Sequence, residues 1–153
     1  AEALLSRGGS LILGMDGTKM SKSKGNTIEL RMTADETAKS IKRAVTDSER
    51  FITYDPVGRP EVANLLTLAG LCTDRDPVAI AEEIGNGGGG GLKKLLTEAM
   101  NEKFAPIRAR RAELEADPGF LHGVLAEGNA RANEVADATL DDVRAAMGMV
   151  YDF

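Results

Sequence analysis

The stretch GTKMSKSKGN, residues 17–26, sets three lysines among four glycine or serine residues. It is neither a tail nor a linker. The apolar run SLILG (10–14) leads into it, and TIEL (27–30) leads out. The first run, ended by Gly14, predicts a buried strand, and TIEL is a candidate short strand. Beyond it the period of the apolar residues changes from that of a strand to that of a helix. The loop therefore marks the edge between a short β element and a helical remainder.

Thr33 followed three residues later by Glu36 fits a capping box. From there Ala38, Ile41, Ala44 and Val45 fall on one helical face. Residues 46–59 (TDSERFITYDPVGR) are loop-like, with Asp55-Pro56 and Gly58 as punctuation. Pro60 suits a first helical turn, and Val62, Leu65, Leu66 and Ala69 give the next stripe. Asp76-Pro77 opens a short helix bearing Ile80, Ala81 and Ile84. The run GNGGGGG (85–91) follows a helix and lacks the Lys-Ser/Thr ending of a phosphate loop, so it reads as a flexible connection between helices. Leu92, Leu95, Leu96, Ala99 and Met100 restart helical spacing, and Pro106 should kink that helix rather than end it, because Ile107 and Leu114 keep its phase. Asp117-Pro118 is an N-cap and first-turn pair. It opens a long stripe from Leu121 through Val124, Leu125, Val135, Leu140 and Val143 to Met147. About five helices result, with no internal repeat.

The chain has 153 residues, 42% of them hydrophobic and 28% charged, which is room for one globular domain or a domain plus an edge. Its net charge of −5 argues against a surface that coats nucleic acid or membrane generally, so any polyanion must be met by local basic patches. No apolar run approaches the length of a membrane span. The start AEALLSRGGS lacks the pattern of a secretory signal, and a cytoplasmic protein is expected. One cysteine, Cys72, and one histidine, His122, cannot build a disulfide or a Cys/His metal site within the chain. Cys72 reads as a small core residue, and His122 as a helix-surface or packing residue. The absence of an initiator Met suggests a fragment.

Lysine carries a compact charge on a flexible stem, suited to phosphate oxygens that move during a reaction. Small residues keep the backbone bare, so a ligand can approach and backbone N–H groups can add donors. The bland alternative is a solvated basic turn. The order of the residues decides between them: KMSKS (19–23) resembles the second signature of the class I aminoacyl-tRNA synthetases. In that family the loop closes over ATP while the amino acid attacks the α-phosphate and pyrophosphate leaves. The resemblance implies that Lys19 and Lys22 are the catalytic lysines. It also implies that Met20, Ser21 and Ser23 join them in binding ATP, which brings Mg2+ with it.

The loop alone resembles the methionine, isoleucine and valine enzymes as much as others, and the tryptophan enzymes often carry an acidic residue where Lys24 stands. The rest of the chain favours the tryptophan branch. TADETAKSIKRAVTDSE, ITYDP, RPEVANLL, LKKLLTEAMNEKFAPIRARRAEL and LAEGNARANEVADATLDDVRAAMGM, in that order, resemble the C-terminal half of bacterial tryptophanyl-tRNA synthetases.

The resemblance implies a mainly α fold. Residues 1–30 would be the β edge and signature loop of a Rossmann-type catalytic domain, and residues 31–153 a helical anticodon-binding domain ending in a long helix. It implies a tryptophan–tRNA ligase with ATP, tryptophan and tRNA(Trp) as partners, a homodimer at full length, and no protein-bound metal in this part. The amino acid pocket would lie upstream. Lys39, Lys42 and Arg43 on the first helix, with Asp47 just beyond, would meet the tRNA anticodon arm. Arg108, Arg110 and Arg111 form a second basic cluster, beside Glu113 and Glu115. Other readings are a tyrosine- or methionine-type class I fragment, or a stand-alone helical module that binds RNA or protein.

Overall fold

A computed structural model of the chain describes residues 12–150. The described residues are mainly helical: α1 (Ala34–Lys42), α2 (Pro60–Thr73), α3 (Pro77–Ile84), α4 (Gly88–Glu115) and α5 (Pro118–Ala146), with 3-10 turns at Lys22–Lys24 and Gly85–Gly87. They fall into two compact units, one reaching to Ala109 and one beginning at Arg110.

The helices start where side chains can satisfy their first N–H groups. At α1 the Thr33 hydroxyl accepts from the Glu36 N–H at 3.2 Å, and the Glu36 carboxylate accepts from the Thr33 N–H at 2.8 Å. Asp76 caps α3 through the Val78 N–H at 2.8 Å, and Asp117 caps α5 through the Phe120 N–H at 3.0 Å. Proline occupies the first turn of α2, α3 and α5, where its missing donor costs nothing.

Neither expected strand forms among the described residues. Ser10 and Leu11 lie outside them, and residues 27–30 join no ladder. Leu13 makes one isolated antiparallel bridge, to Lys19. Its backbone is held by a side chain instead: the Leu13 N–H donates to Asn64 Oδ1 at 2.8 Å, and Asn64 Nδ2 donates to the Leu13 carbonyl at 3.2 Å. An amide side chain from α2 thus stands where a neighbouring strand's backbone would.

The core of the first unit gathers Ile41 from α1, Ile52 from the loop after it, Leu65 and Leu66 from α2, Ile80 from α3, and Leu92 and Leu96 from α4. All are fully buried, and each such side chain contributes about 1.5–3 kcal/mol over an exposed one. The buried line runs from Thr37 and Ile41 on α1 to Ala44 just beyond it, while Val45 is 47% exposed. The expected Val45 burial fails because α1 stops at Lys42 and Val45 lies in the extended chain beyond, where its N–H donates to the Met15 carbonyl at 2.8 Å.

The glycine run is ordered rather than a loose connection. It makes a 3-10 turn and then the first turn of α4. A Cβ on Gly89 would stand 2.9 Å from the Thr46 hydroxyl, and Gly85 and Gly88 take positive φ, whereas Gly90 has open space around it. α4 continues through Pro106 to Glu115, with Ile107 exposed and Leu114 half-buried. In the second unit α5 has no buried residue, and Leu121, Val124, Leu125, Val135, Leu140, Val143 and Met147 are exposed. Cys72 is half-buried against the core of the first unit, and burial pushes its thiol above the ordinary range. Among the described residues no helix is long and apolar enough to cross a membrane.

Candidate functional site

The lysine stretch forms a closed arch. At its base the Met15 N–H donates to the Asn26 carbonyl at 2.9 Å, and the Gly14 N–H donates to the Thr18 carbonyl at 2.8 Å. Its far arm is a single 3-10 turn, closed by Gly25 at φ 64°, where a side chain would be strained. Inside the arch sits the Asn26 side chain, 6% exposed. Its Oδ1 accepts from the Ser21 N–H at 2.8 Å. Its Nδ2 donates to Asp16 Oδ1 at 2.8 Å, the Lys19 carbonyl at 3.2 Å and the Thr18 hydroxyl at 3.3 Å. Gly14 makes room for it, since a Cβ there would lie 2.2 Å from Asn26 Nδ2.

Asp16 holds the near arm. It accepts from the Thr18 N–H at 3.0 Å and from the Thr18 hydroxyl. The Thr18 backbone first, then the Asn26 amide, keep its carboxyl below the ordinary aspartate range.

The arch turns its charges outward. Lys19, Lys22 and Lys24 are exposed. Lys24 donates to the Thr18 hydroxyl at 3.2 Å. Among the described residues neither Lys19 nor Lys22 forms a salt bridge. The hydroxyls of Ser21 and Ser23 share a hydrogen bond at 2.8 Å, and Met20 is exposed on the arch. Two unpaired ammonium groups on a bare, pre-shaped loop can take a polyphosphate without first breaking an ion pair.

Lys39, Lys42 and Arg43 are exposed at the C-terminal end of α1. A groove of about 440 Å³ brings Lys39 and Arg43 together with the base of the arch, lined also by Asp16, Asn26 and Glu36. Lys42 does not line it. Asp47 lies past the helix, and its carboxylate holds Arg59 in a two-point pair, Nε to Oδ2 and Nη2 to Oδ1, both at 2.7 Å. The Glu49 N–H adds a third donor at 3.0 Å. Arg59 foremost keeps the Asp47 carboxyl below the ordinary range. Three of the roughly four acceptor positions of this carboxylate are thereby occupied within the chain.

The family model for class I tRNA synthetases (W and Y) matches residues 1–105. The chain belongs to this family of class I tRNA synthetases. Tryptophan–tRNA ligase 1 of Streptomyces coelicolor is 44% identical over 116 residues, covering 76% of this chain and 34% of that protein. Tryptophan–tRNA ligase of Thermosynechococcus vestitus is 40% identical over 152 residues, covering 96% of this chain and 46% of its own length. Among solved structures, the tryptophanyl-tRNA synthetase of Campylobacter jejuni complexed with ADP and tryptophan superposes with a TM-score of 0.74 at 28% identity, over 96% of this chain and 46% of that one. The chain thus spans about half the length, or less, of these relatives.

Four residues that shape this class I synthetase chain are not evident from its sequence: Asn26, Asn64, Arg59 and Arg108. Arg108 is half-buried and donates to the Met32 carbonyl at 2.8 Å, the Thr37 hydroxyl at 2.8 Å and Asn101 Oδ1 at 2.9 Å. Its guanidinium also lies 5.7 Å from the centre of the Phe104 ring. Arg110 and Arg111 pair with Glu113 and Glu115 on their own helix, the solvated-face arrangement that those glutamates suggest. Arg59 and Asn64 lie in RPEVANLL and Arg108 in LKKLLTEAMNEKFAPIRARRAEL, segments that carry the family resemblance, but the letters do not show the partners of these side chains.

Proposed function

We propose that this chain is the loop-bearing and tRNA-reading part of a tryptophan–tRNA ligase. Residues 1–30 close the Rossmann-type catalytic domain, and residues 31–153 form the anticodon-binding domain. The full-length enzyme works in the cytoplasm as a homodimer and takes ATP with its Mg2+, tryptophan and tRNA(Trp). The observation that carries the reading is the arch: unpaired, exposed Lys19 and Lys22 above a fully bonded base.

Tryptophan's carboxylate attacks the α-phosphorus of ATP, an α–β phosphoanhydride bond breaks, and pyrophosphate leaves with the negative charge that develops. Lys19 and Lys22 stabilise that charge, while Ser21, Ser23 and the backbone at Met20 hold the loop against the nucleotide. This is electrostatic catalysis by positioned donors, with no covalent step by the protein. Lys39, Lys42 and Arg43 engage the phosphates and splayed bases of the anticodon arm. Asp47 keeps one acceptor position for a base amino group beside the Arg59 pair.

The test is amino-acid-dependent ATP–pyrophosphate exchange by a chain of the relatives' full length that contains this sequence. Tryptophan should support exchange, and tyrosine and methionine should not. The present chain alone should give none. Exchange driven by tyrosine or methionine in preference to tryptophan overturns the assignment.

A further inference from the structure

We infer that Asn26, acting with Asp16, is a positioning residue that sets the curvature of the arch and so aims Lys19 and Lys22 at the polyphosphate. The inference rests on the function proposed above and deepens it at the same loop. Its basis is the placement of one amide. Asn26 is the only side chain in the arch that touches both arms and both chemical poles of the backbone. It takes the Ser21 N–H at 2.8 Å and gives to the Lys19 carbonyl at 3.2 Å, so it spans the two residues on either side of Met20. Its remaining donor capacity goes to Asp16 at 2.8 Å and Thr18 at 3.3 Å on the near arm. Among the described residues every buried side-chain polar atom has a partner. An amide in this position cannot rotate without reversing donor and acceptor toward Ser21, Asp16 and Lys19 together.

The chemistry demands an amide rather than a carboxylate. Asp16 and the Lys19 carbonyl are both acceptors and need the NH2 group, while the Ser21 N–H needs the oxygen. Gly14 fits the same requirement, because any side chain there would occupy the space of Asn26 Nδ2. Lys19 and Lys22 thus owe the direction of their stems to a residue that carries no charge.

The isosteric exchange Asn26→Asp keeps the volume and the acceptor for Ser21 but sets a second carboxylate against Asp16. Adding Asp16→Asn restores a donor to that pair, but removes the acceptor that Asp16 Oδ1 also offers the Thr18 N–H and leaves the Lys19 carbonyl without its donor. Two readouts are taken on a full-length chain carrying this sequence. One is ATP–pyrophosphate exchange with separate kcat and tryptophan KM; the other is the rate at which trypsin nicks after Lys19, Lys22 and Lys24. Asn26→Asp should lower kcat about tenfold or more with little change in tryptophan KM, and speed nicking by a similar factor, as expected for loss of a buried, charge-facing hydrogen bond. The Asp16→Asn partner, which removes the clash of two carboxylates, should recover part of both losses.

Combined with Lys22→Ala, Asn26→Asp should cost less than the product of the two separate effects, since both act through the same ammonium group. Wild-type kcat and nicking in Asn26→Asp overturn the inference. So does a fall in kcat with nicking unchanged, which would leave the shape of the arch independent of Asn26. If nicking responds and is rescued while Lys22→Ala leaves exchange untouched, the arch is set as described and the catalytic reading of the lysines fails instead.

Discussion

The arch at residues 14–26 and the loop at residues 46–59 are both pinned by one polar side chain with several partners, and they put their basic residues to opposite uses. In the first, the pin is neutral Asn26, and the cations Lys19 and Lys22 stand exposed outside it, with no salt bridge among the described residues. In the second, the pin is itself a cation. Arg59 reaches the Asp47 carboxylate, the Phe51 carbonyl at 2.8 Å and the Thr53 hydroxyl at 2.9 Å, and its side chain is only 13% exposed. A basic residue consumed by its own fold holds shape, whereas one left over by the fold is available to a ligand. Arg108 belongs with Arg59, and Lys39, Lys42 and Arg43 belong with the arch.

That division predicts effects of different kind and size. The largest is expected at the arch: Lys19→Ala or Lys22→Ala should each slow tryptophanyl-adenylate formation on the order of a hundredfold, with tryptophan binding nearly unchanged and no loss of Tm. Stopped-flow measurement of the adenylate burst checks it, and wild-type rates in both variants would erase the distinction. Arg59→Ala should do the reverse. It removes charged hydrogen bonds worth about 1–2 kcal/mol net at a partly exposed pair, so Tm should drop by several degrees while the adenylate rate per folded molecule holds. A catalytic loss without a change in melting would place Arg59 in the wrong group.

Lys42→Ala with Arg43→Ala should be gentler. Exchange should persist, and a plot of log tRNA affinity against log salt should flatten by roughly 0.7 to 0.9 for each phosphate no longer neutralised. Identical slopes would make this end of α1 a solvated face. The smallest effect is expected for Asp47→Asn. Arg59 lowers the Asp47 pKa in the folded chain, so the pair's contribution is complete at neutral pH and disappears as pH falls through that lowered value. The stability gap between wild type and Asp47→Asn should therefore be widest near neutrality and close in acid. A gap that widens in acid contradicts the assigned sign.

The features that could be read from the letters are those whose cause is local. Thr33 with Glu36, Asp76 with Pro77 and Asp117 with Pro118 each satisfy a helix start within three residues, and each helix begins there. The arch was legible as a motif for the same reason, being continuous in sequence. What could not be read depends on partners far along the chain. Arg108 meets Thr37 across 71 positions, and Asn64 meets Leu13 across 51. The strand pattern before the loop misled because an apolar run reports burial and says nothing of a neighbouring ladder. The glycine run misled because a glycine chosen for close approach and one chosen for mobility look alike in sequence.

Asn64's grip on Leu13 also orders events in time. The capping box closes within three residues, so the start of α1 can form early by contacts local in sequence. The Leu13 clamp, one residue before the arch, joins positions 51 apart, so it closes among the last steps. Asn64→Ala should then accelerate unfolding and leave the refolding rate almost unaltered, a φ-value near zero. A φ-value near one would put the clamp in the nucleus. Late closure means that the chain leading into the arch is fixed only in a molecule whose helical scaffold is already assembled.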